Sequence, residues 1–310
     1  MPGPSYPPAA PTISGELVTI SRFLQSPTLI GRRLRDLTDL RFISDQILTQ
    51  RFRSSGGAVM YEVSEPFLNT RPVKAVAPGS EYPRDTPAQG VAAMAAVTKW
   101  GEAFFISDER IKRSVFAGDE VTRQLTKAVN TVANKIEGLT TSAVSSAITN
   151  THSAAATWDN ASAQIFRDVE VAAAKITDLN MGYNPDTLLM STSKYALLMS
   201  DSIIANLRRR EATDNPIYGG DIERVGKFNV VYTSAANLPS NDVWVIDSRQ
   251  LGGMADEVNQ DPGYATGAYN IQVQTMRRPE RDGWDLWARR LTVPIVTEPG
   301  AGIRITGTGS

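Results

Sequence analysis

The spacing of apolar positions changes character several times along the chain, and each change marks a different kind of element. Met1 to about Thr19 is rich in Pro, Ser, Gly and Ala and has no period, so it is expected to be extended or disordered in a lone subunit. Leu34, Leu37, Leu40, Ile43 and Ile47 recur every three or four residues, which predicts a short amphipathic helix. Ala58 to Val63 alternates instead, with Val59, Tyr61 and Val63 on one side, as a strand does. Five prolines follow (Pro66, Pro72, Pro78, Pro83 and Pro87), and no helix persists through such a run. Strand character resumes from Val91 to Ile106. Gly56 to Ser107 therefore reads as a long two-armed ribbon. An isolated hairpin is marginal in water, so something outside the subunit's own core must hold this one. The pattern alone points to association with other chains.

After Gly118 the period becomes helical. Val121, Leu125, Val129, Val132, Ile136, Leu139, Ala143 and Ile148 predict a long helix with Asp119 as its N-cap. Continuous to Asn150, it would span about 45 Å, with Gly138 as a weak point. Ile165, Val169, Ala172, Ile176 and Leu179 predict a second helix over Ala161–Leu179. The rest mixes short strands (Thr187–Met190, Asn229–Thr233, Val243–Asp247) with short helices (Thr192 or Ser193 to Met199, and Ser202–Arg210). Asp282-Gly283 is a strong turn signal, from which Trp284–Val293 returns antiparallel to the strand around Ile271 and Val273. The fold class is α+β. No internal repeat is visible, and strands and helices do not alternate as in a dinucleotide-binding fold.

Composition narrows the chemistry. The chain has 310 residues, 41% hydrophobic and 21% charged, which suits a soluble protein of about two domains. A net charge of −1 names no partner. No apolar run approaches the roughly 18 residues that span a bilayer, and Met1-Pro2-Gly3-Pro4 lacks the order of a secretion signal. No membrane partner is expected, and synthesis in a cytoplasm is. The absence of cysteine excludes disulfides and thiol chemistry. A single histidine, His152, excludes most zinc enzymes and histidine-based triads. Ser191-Thr192-Ser193-Lys194 matches the S-x-x-K of serine acylases, but the companion S-D-N and K-T-G elements are missing; it reads as a helix cap. Asp256-Glu257, Asp242 with Asp247, and Asp282 with Asp285 read as solvated turn acids, and His152 as an exposed linker residue. No catalytic residue, cofactor or metal is expected.

Two charged clusters remain. Seven arginines lie between Arg22 and Arg53, Arg32, Arg33 and Arg35 among them. They form either a solvated basic face or an arm that touches nucleic acid or acidic neighbours. Arg277, Arg278, Glu280, Arg281, Asp282, Asp285, Arg289 and Arg290 flank a hairpin that carries Trp284 and Trp287. Arg and Trp are enriched at interface anchors, so this hairpin is a candidate subunit contact, with a plain solvated ribbon as the alternative. Tyr82 and Arg84, in the proline-rich part of the ribbon, are further contact candidates.

Taken in order, these pieces resemble the major capsid proteins of tailed double-stranded DNA bacteriophages, with the Hong Kong 97-type fold. Ser54-Ser55-Gly56-Gly57-Ala58-Val59-Met60-Tyr61 and Gly79-Ser80-Glu81-Tyr82-Pro83 are similar to phrases in actinobacteriophage capsid proteins, and Ile222 to Val231 is similar to their axial-domain strand region. The resemblance implies an N-terminal arm (1–55), an extended β-hairpin loop (56–107), a peripheral domain with a spine helix (108–160), an axial domain (161–268) and strands returning to the peripheral domain (269–310). It implies copies that assemble as pentamers and hexamers into an icosahedral head around packaged double-stranded DNA, bound without sequence specificity. A separate scaffolding protein, a portal and a decoration protein are the further partners it implies, and the virion is the location. Some members crosslink a lysine to an asparagine. Lys74 and Lys99 lie in the ribbon, but no acceptor is matched and no crosslink site is assigned. An encapsulin-type nanocompartment enclosing a cargo enzyme is the alternative that shares the fold.

On this reading the arginine arm lies on the inner face of the shell and contacts neighbours, scaffold or DNA phosphate. Replacing Arg32, Arg33 and Arg35 with Ala is expected to lower shell yield or DNA retention, and more so at higher salt. Unchanged yield and packaging in the triple variant would rule out that role.

Overall fold

The computed structural model describes residues 43–65, 67–69, 71, 73–85, 89–113, 117–201, 223–257, 263–266 and 270–309. Arg32, Arg33 and Arg35, and the helix expected over Ser202–Arg210, lie outside these residues. In chain order the elements begin with α1 (Ser44–Ile47), β1 (Gln50–Ser54), β2 (Ala58–Val63), β3 (Val91–Ala96) and β4 (Thr98–Ser107). Next come α2 (Asp108–Arg113), α3 (Ala117–Ala147), β5 (Thr151–Ser153), α4 (Ile165–Thr177), β6 (Thr187–Ser191) and α5 (Thr192–Ser200). The remaining strands are β7 (Arg224–Val225), β8 (Phe228–Thr233), β9 (Val243–Ile246), β10 (Gly252–Glu257), β11 (Ala265–Thr266), β12 (Gln272–Arg278), β13 (Gly283–Val296) and β14 (Gly302–Thr306).

The chain divides into two units. Among the described residues, the larger holds those within 43–99, 133–259 and 291–309; the smaller holds those within 100–132 and 260–290. Only α3 and β13, among the described elements longer than ten residues, run through both.

The larger unit is built on a sheet of order β5-β14-β9-β6-β8-β7, in which β5 is parallel to β14 and β6 to β8. Its central strands read as unbroken apolar runs because both faces are covered. Thr187–Ser191 and Val243–Ile246 are buried at every position. Helix α4 packs on β14 and β9, with Ile165, Val169, Ala172, Ala173 and Ile176 buried, and α5 packs on β6 and β8. Two parts of this unit differ from expectation. Gln50–Ser54, which reads as the end of a basic arm, is a strand parallel to β10. Arg51 and Arg53 occupy its exposed positions while Ser54 is buried, so a period-two strand hides inside what looks like a charge run. The second is β14. Instead of returning with the last hairpin, it lies between β5 and β9. A turn at Pro299–Ala301 redirects the chain, and Ile303 and Ile305 enter the core. Alternation gives a strand; it does not say which sheet receives it.

In the smaller unit β12 pairs antiparallel with the first half of β13, from Arg278 opposite Gly283 to Gln272 opposite Arg289. Pro279–Arg281 forms a single 3-10 turn, and Asp282 takes the left-handed conformation that closes it (φ 44°). Gly283 is therefore not the turn's flexible residue. A Cβ there would meet Phe105 Cζ at 2.3 Å and the Ile106 carbonyl at 2.5 Å, so glycine is required by the close approach of β4. The ribbon expected over 56–107 accordingly ends earlier: from Trp100 onward β4 is a sheet strand beside β13.

Helix α3 is continuous through 31 residues, about 46 Å at 1.5 Å per residue. It starts at Ala117, so Asp119 lies within it and is not the cap. Val121, Leu125, Val129, Val132 and Ile136 are buried as expected, but the stripe then continues through Thr140, Thr141 and Val144, not through Leu139 and Ala143. The Thr140 hydroxyl donates to the Ile136 carbonyl (2.9 Å) and the Thr141 hydroxyl to that of Glu137 (3.0 Å). The Thr140 hydroxyl is satisfied by the helix's own backbone, and the Thr141 hydroxyl also reaches the Asn237 carbonyl, so both threonines are buried without an orphaned hydroxyl. Gly138 has no atom within 4 Å of where a Cβ would sit. Gly138→Ala is therefore expected to stabilise the protein by about 0.5–1 kcal/mol, the propensity gap in a helix interior, read as an increased urea midpoint. A lowered midpoint would show that the glycine serves a packing role.

Candidate functional site

The S-x-x-K motif is a structural fastener. Ser191 is the N-cap of α5, its Oγ accepting from the Lys194 amide (3.3 Å) and donating to Asn241 Oδ1 (2.9 Å). Lys194 is fully buried, and its Nζ donates to the carbonyls of Thr308 and Gly309, both at 2.7 Å. Burial lowers the pKa of this ammonium, opposed by Asp159 and Asp242. The lysine thus points at the segment that follows β14, not at a serine nucleophile.

Asp242 and Asp247 do not converge either. Asp242 precedes β9 and Asp247 follows it, so about five extended residues, roughly 16 Å, separate them. Asp247 accepts the backbone N–H groups of Asn184, Arg249 and Gln250 at 2.8–3.2 Å. Asp186 accepts from Ser248 N and Oγ at 2.9 and 3.0 Å. Both carboxylates fasten loops. Among the described residues no cluster of three or more His, Cys, Asp or Glu could hold a metal ion. His152 is not an exposed linker residue. It sits half-buried in β5, opposite Ile305, with Lys175 Nζ 3.1 Å from its Nδ1. Burial and the Lys175 charge lower its pKa. Its small polar neighbours conceal the strand because only three residues pair.

The Arg/Trp hairpin is largely self-satisfied. Arg277 clasps Asp108 through two bonds of 2.7 Å, and Arg278 binds Asp285 at 2.7 Å. The hydrogen bond from Arg277 holds the Asp108 carboxyl below its ordinary value. Arg289 lies 3.7 Å from the centre of the Tyr264 ring and donates to Gln272 (3.0 Å). Trp284 and Trp287 are three residues apart on one strand and so face opposite ways. Trp284 lies beneath Arg277 (5.5 Å to the ring centre) on the face that buries Leu286 and Ala288. Trp287 lies opposite Gln274 on the half-exposed face.

The ribbon is where the larger unit is incomplete. β2 and β3 pair antiparallel from Ala58 opposite Ala96 to Val63 opposite Val91. Beyond them the chain runs out and back around Ala77–Ser80, where Ser80 N donates to the Ala77 carbonyl (3.0 Å) and Gly79 has φ 85°. Pro78 and Gly79 fill the positions that a type II turn assigns to those residues. Arg71 ties the two arms together, bonding the Asp85 carboxylate (3.0 Å) and the Arg84 carbonyl. Arg84 pairs with Glu81 at 3.0 Å, largely in solvent. The hairpin is anchored where it opens. Ser64 N donates to the Thr297 carbonyl (2.9 Å), and Glu65 N to Glu298, whose other oxygen accepts from Tyr183 (2.9 Å). Burial and Glu298 raise the pKa of the Tyr183 phenol. Outward of this anchor Phe67 (70%), Val73 (99%) and Tyr82 (78%) are exposed, as are Met60, Leu68, Val91 and Met94. So large an exposed apolar set on one excursion is unusual for a subunit that stands alone.

Comparison with known proteins identifies what the surface belongs to. A family model described as "Phage capsid protein" matches residues 90–305. The chain belongs to the phage capsid protein family. No curated protein matches it. Among solved structures it is similar to the capsid of cyanophage P-SCSP1u (TM-score 0.59, 14% identity, 86% of this chain and 88% of the other). It is also similar to the virus-like particle from Pyrococcus furiosus (0.56, 14%, 88% and 95%) and to a structure from Mycobacterium phage Che8 (0.55, 10%, 99% and 100%). The fold is of the Hong Kong 97 type, as the order of elements implied.

This capsid protein is a structural shell subunit and not an enzyme, it belongs in the virion, and it associates with copies of itself. Among the described residues no helix is long and apolar enough to cross a membrane. Of the contact candidates read from sequence, Tyr82 and Arg84 lie together on the ribbon, while Trp284 and Trp287 lie apart on opposite faces of a strand in the other unit. Sequence reasoning missed Glu298 and Tyr183, which carry no motif, and Met60 and Met94, which period two makes visible once the pairing is known. Lys194→Met keeps the stem and removes the ammonium, leaving two carbonyls without their donor. A loss of about 1–3 kcal/mol is expected, with faster amide exchange over residues 306–309. Unchanged stability and exchange would mean that strand pairing alone holds this segment.

Proposed function

We propose that this protein is the major capsid protein of a tailed phage, assembling as pentamers and hexamers into an icosahedral head that encloses double-stranded DNA. The carrying observation is the ribbon: its apolar side chains are exposed in the single subunit and need a partner to cover them. The most economical partner for a shell protein is the next copy. Tyr82 and Arg84 on the ribbon, and Trp287 with the outer edge of its hairpin, are the proposed contact residues. Trp284 serves more simply within its own subunit. The arm (1–55), the loop (56–107), the spine-helix region (108–160), the axial domain (161–268) and the closing strands (269–310) are the proposed division of labour. The larger-unit sheet supports an axial role for 161–268 and draws residues 302–306 into it. Scaffold, portal, decoration protein and DNA are the proposed partners, with synthesis in the host cytoplasm.

A nanocompartment is the competing reading, because one similar structure is a virus-like particle. Electron microscopy of the purified assembly with analysis of its contents separates them: DNA supports the head, and an enclosed enzyme supports the compartment.

The ribbon account has its own test. Fixing extended backbone costs roughly 1–2 kcal/mol per residue, and the arms bury little apolar surface on their own chain. Amides from Val76 to Gly90 are expected to exchange quickly in free subunits and slowly in shells. Deleting Pro78–Pro87 is expected to leave a folded subunit that associates poorly. Equal protection before and after assembly, read by mass spectrometry, would mean that the ribbon is held by its own subunit.

A further inference from the structure

One face of the β2–β3 hairpin is made almost wholly of small apolar residues and two thioethers. Ala58 is opposite Ala96, Met60 opposite Met94, and Glu62 opposite Ala92. All six side chains are exposed, Met60 at 79% and Met94 at 70%. Directly opposed residues have Cβ atoms about 5 Å apart, so the two methionines stand side by side on a floor of alanine. No longer side chain on that face stands beside them except Glu62. The other face carries Val59, Tyr61 and Val63, with Val59, Tyr61, Val63, Ala93 and Ala95 half-buried.

We propose that Met60 and Met94 form an oxidation site that controls whether the ribbon can seat on a second copy. The proposal rests on the shell reading above and adds a regulation to it. Attack by a hydroperoxide needs an accessible thioether. Met190 and Met254 are fully buried, Met181 and Met199 half-buried, and Met276 is 39% exposed. Among the described methionines this pair is therefore the most open to reaction, with Met276 next. In the step the peroxide O–O bond breaks, one oxygen bonds to sulfur, and the other leaves as water from hydrogen peroxide or as the alcohol from an organic hydroperoxide. Sulfur loses two electrons and the peroxide gains them. The product sulfoxide is a strong hydrogen-bond acceptor in place of an apolar group, and it is reducible by methionine sulfoxide reductases. Two sulfoxides on the alanine floor would have to be desolvated without donors when a partner covers them, which disfavours seating. In the free subunit they remain in water and cost the fold little. The modification therefore acts on association and spares folding.

The test treats unassembled full-length protein with hydrogen peroxide, reads each methionine by peptide mass spectrometry, and reads shell yield by light scattering and electron microscopy. Met60 and Met94 are expected to convert at least about tenfold faster than Met190 and Met254, following exposure. Shell yield is expected to fall severalfold when both are converted, and reductase treatment is expected to restore it. In finished shells both should resist the same dose. Met60→Leu with Met94→Leu, close in volume, is expected to assemble and to keep its yield after peroxide. If that double variant fails to assemble untreated, rescue of oxidised wild type by the reductase decides the matter. Recovery supports the switch, and its absence overturns it. Full assembly of doubly oxidised protein, or equal reactivity in subunits and shells, overturns the switch alone. Untreated wild type that never associates overturns the shell reading, and the switch falls with it.

Discussion

The ribbon's apolar side chains have nowhere to go inside their own subunit, and the arrangement around them follows from that. Met60, Phe67, Leu68, Val73, Tyr82, Val91 and Met94 are all exposed between 56% and 99%. Burying a large apolar side chain contributes about 1.5–3 kcal/mol, so this set represents a substantial driving force that the single chain leaves unused. A protein that kept it unused would be prone to unspecific association. On the proposed shell reading it is used on neighbouring copies. That is why an excursion with five prolines, a type II turn and almost no core of its own is compatible with a well-packed remainder.

Directing such a surface requires fixed points. The hairpin opens against Thr297 and Glu298, directly after β13, and Tyr183 orients the Glu298 carboxylate that receives Glu65. Thr297 and Glu298 both bond the Leu251 carbonyl before β10. β10 in turn is flanked by β1 and the second half of β13. Elsewhere in the same unit, Lys194 and the loop acids Asp186 and Asp247 fasten chain that would otherwise be loose. Buried charged groups persist when they find partners, as Lys194 and Asp247 do. The lysine of the S-x-x-K motif and these loop acids hold segments in place.

The charged hairpin makes a similar point. Its composition is that of an interface, yet Arg277, Arg278 and Arg289 are engaged within the unit by Asp108, Asp285, Gln272 and Tyr264. Asp108 lies 169 residues from Arg277 in sequence, a separation at which no local pattern announces a pair. The tryptophans show the same limit: both are visible as anchors, but only the strand register reveals that they face opposite ways.

Period determined much of this protein before any coordinate was known. Alternation placed β2 and β12, three-and-four spacing placed α3 and α4, and prolines marked the excursion, because these signals depend on neighbours a few residues apart. The same locality explains the failures. β1 passed for a basic run because two arginines occupy its solvent positions. Thr140 and Thr141 were left out of the stripe because threonine reads as polar; in the fold their hydroxyls are satisfied by the carbonyls of Ile136, Glu137 and Asn237. β5 and its histidine passed for linker because three residues make too short a pattern. Which sheet β14 enters, which carbonyls Lys194 grips and which acid meets Arg277 were decided only by the tertiary structure. Each joins residues more than fifty positions apart, and the energy that selects them comes from packing and desolvation, which exist only once the chain is folded.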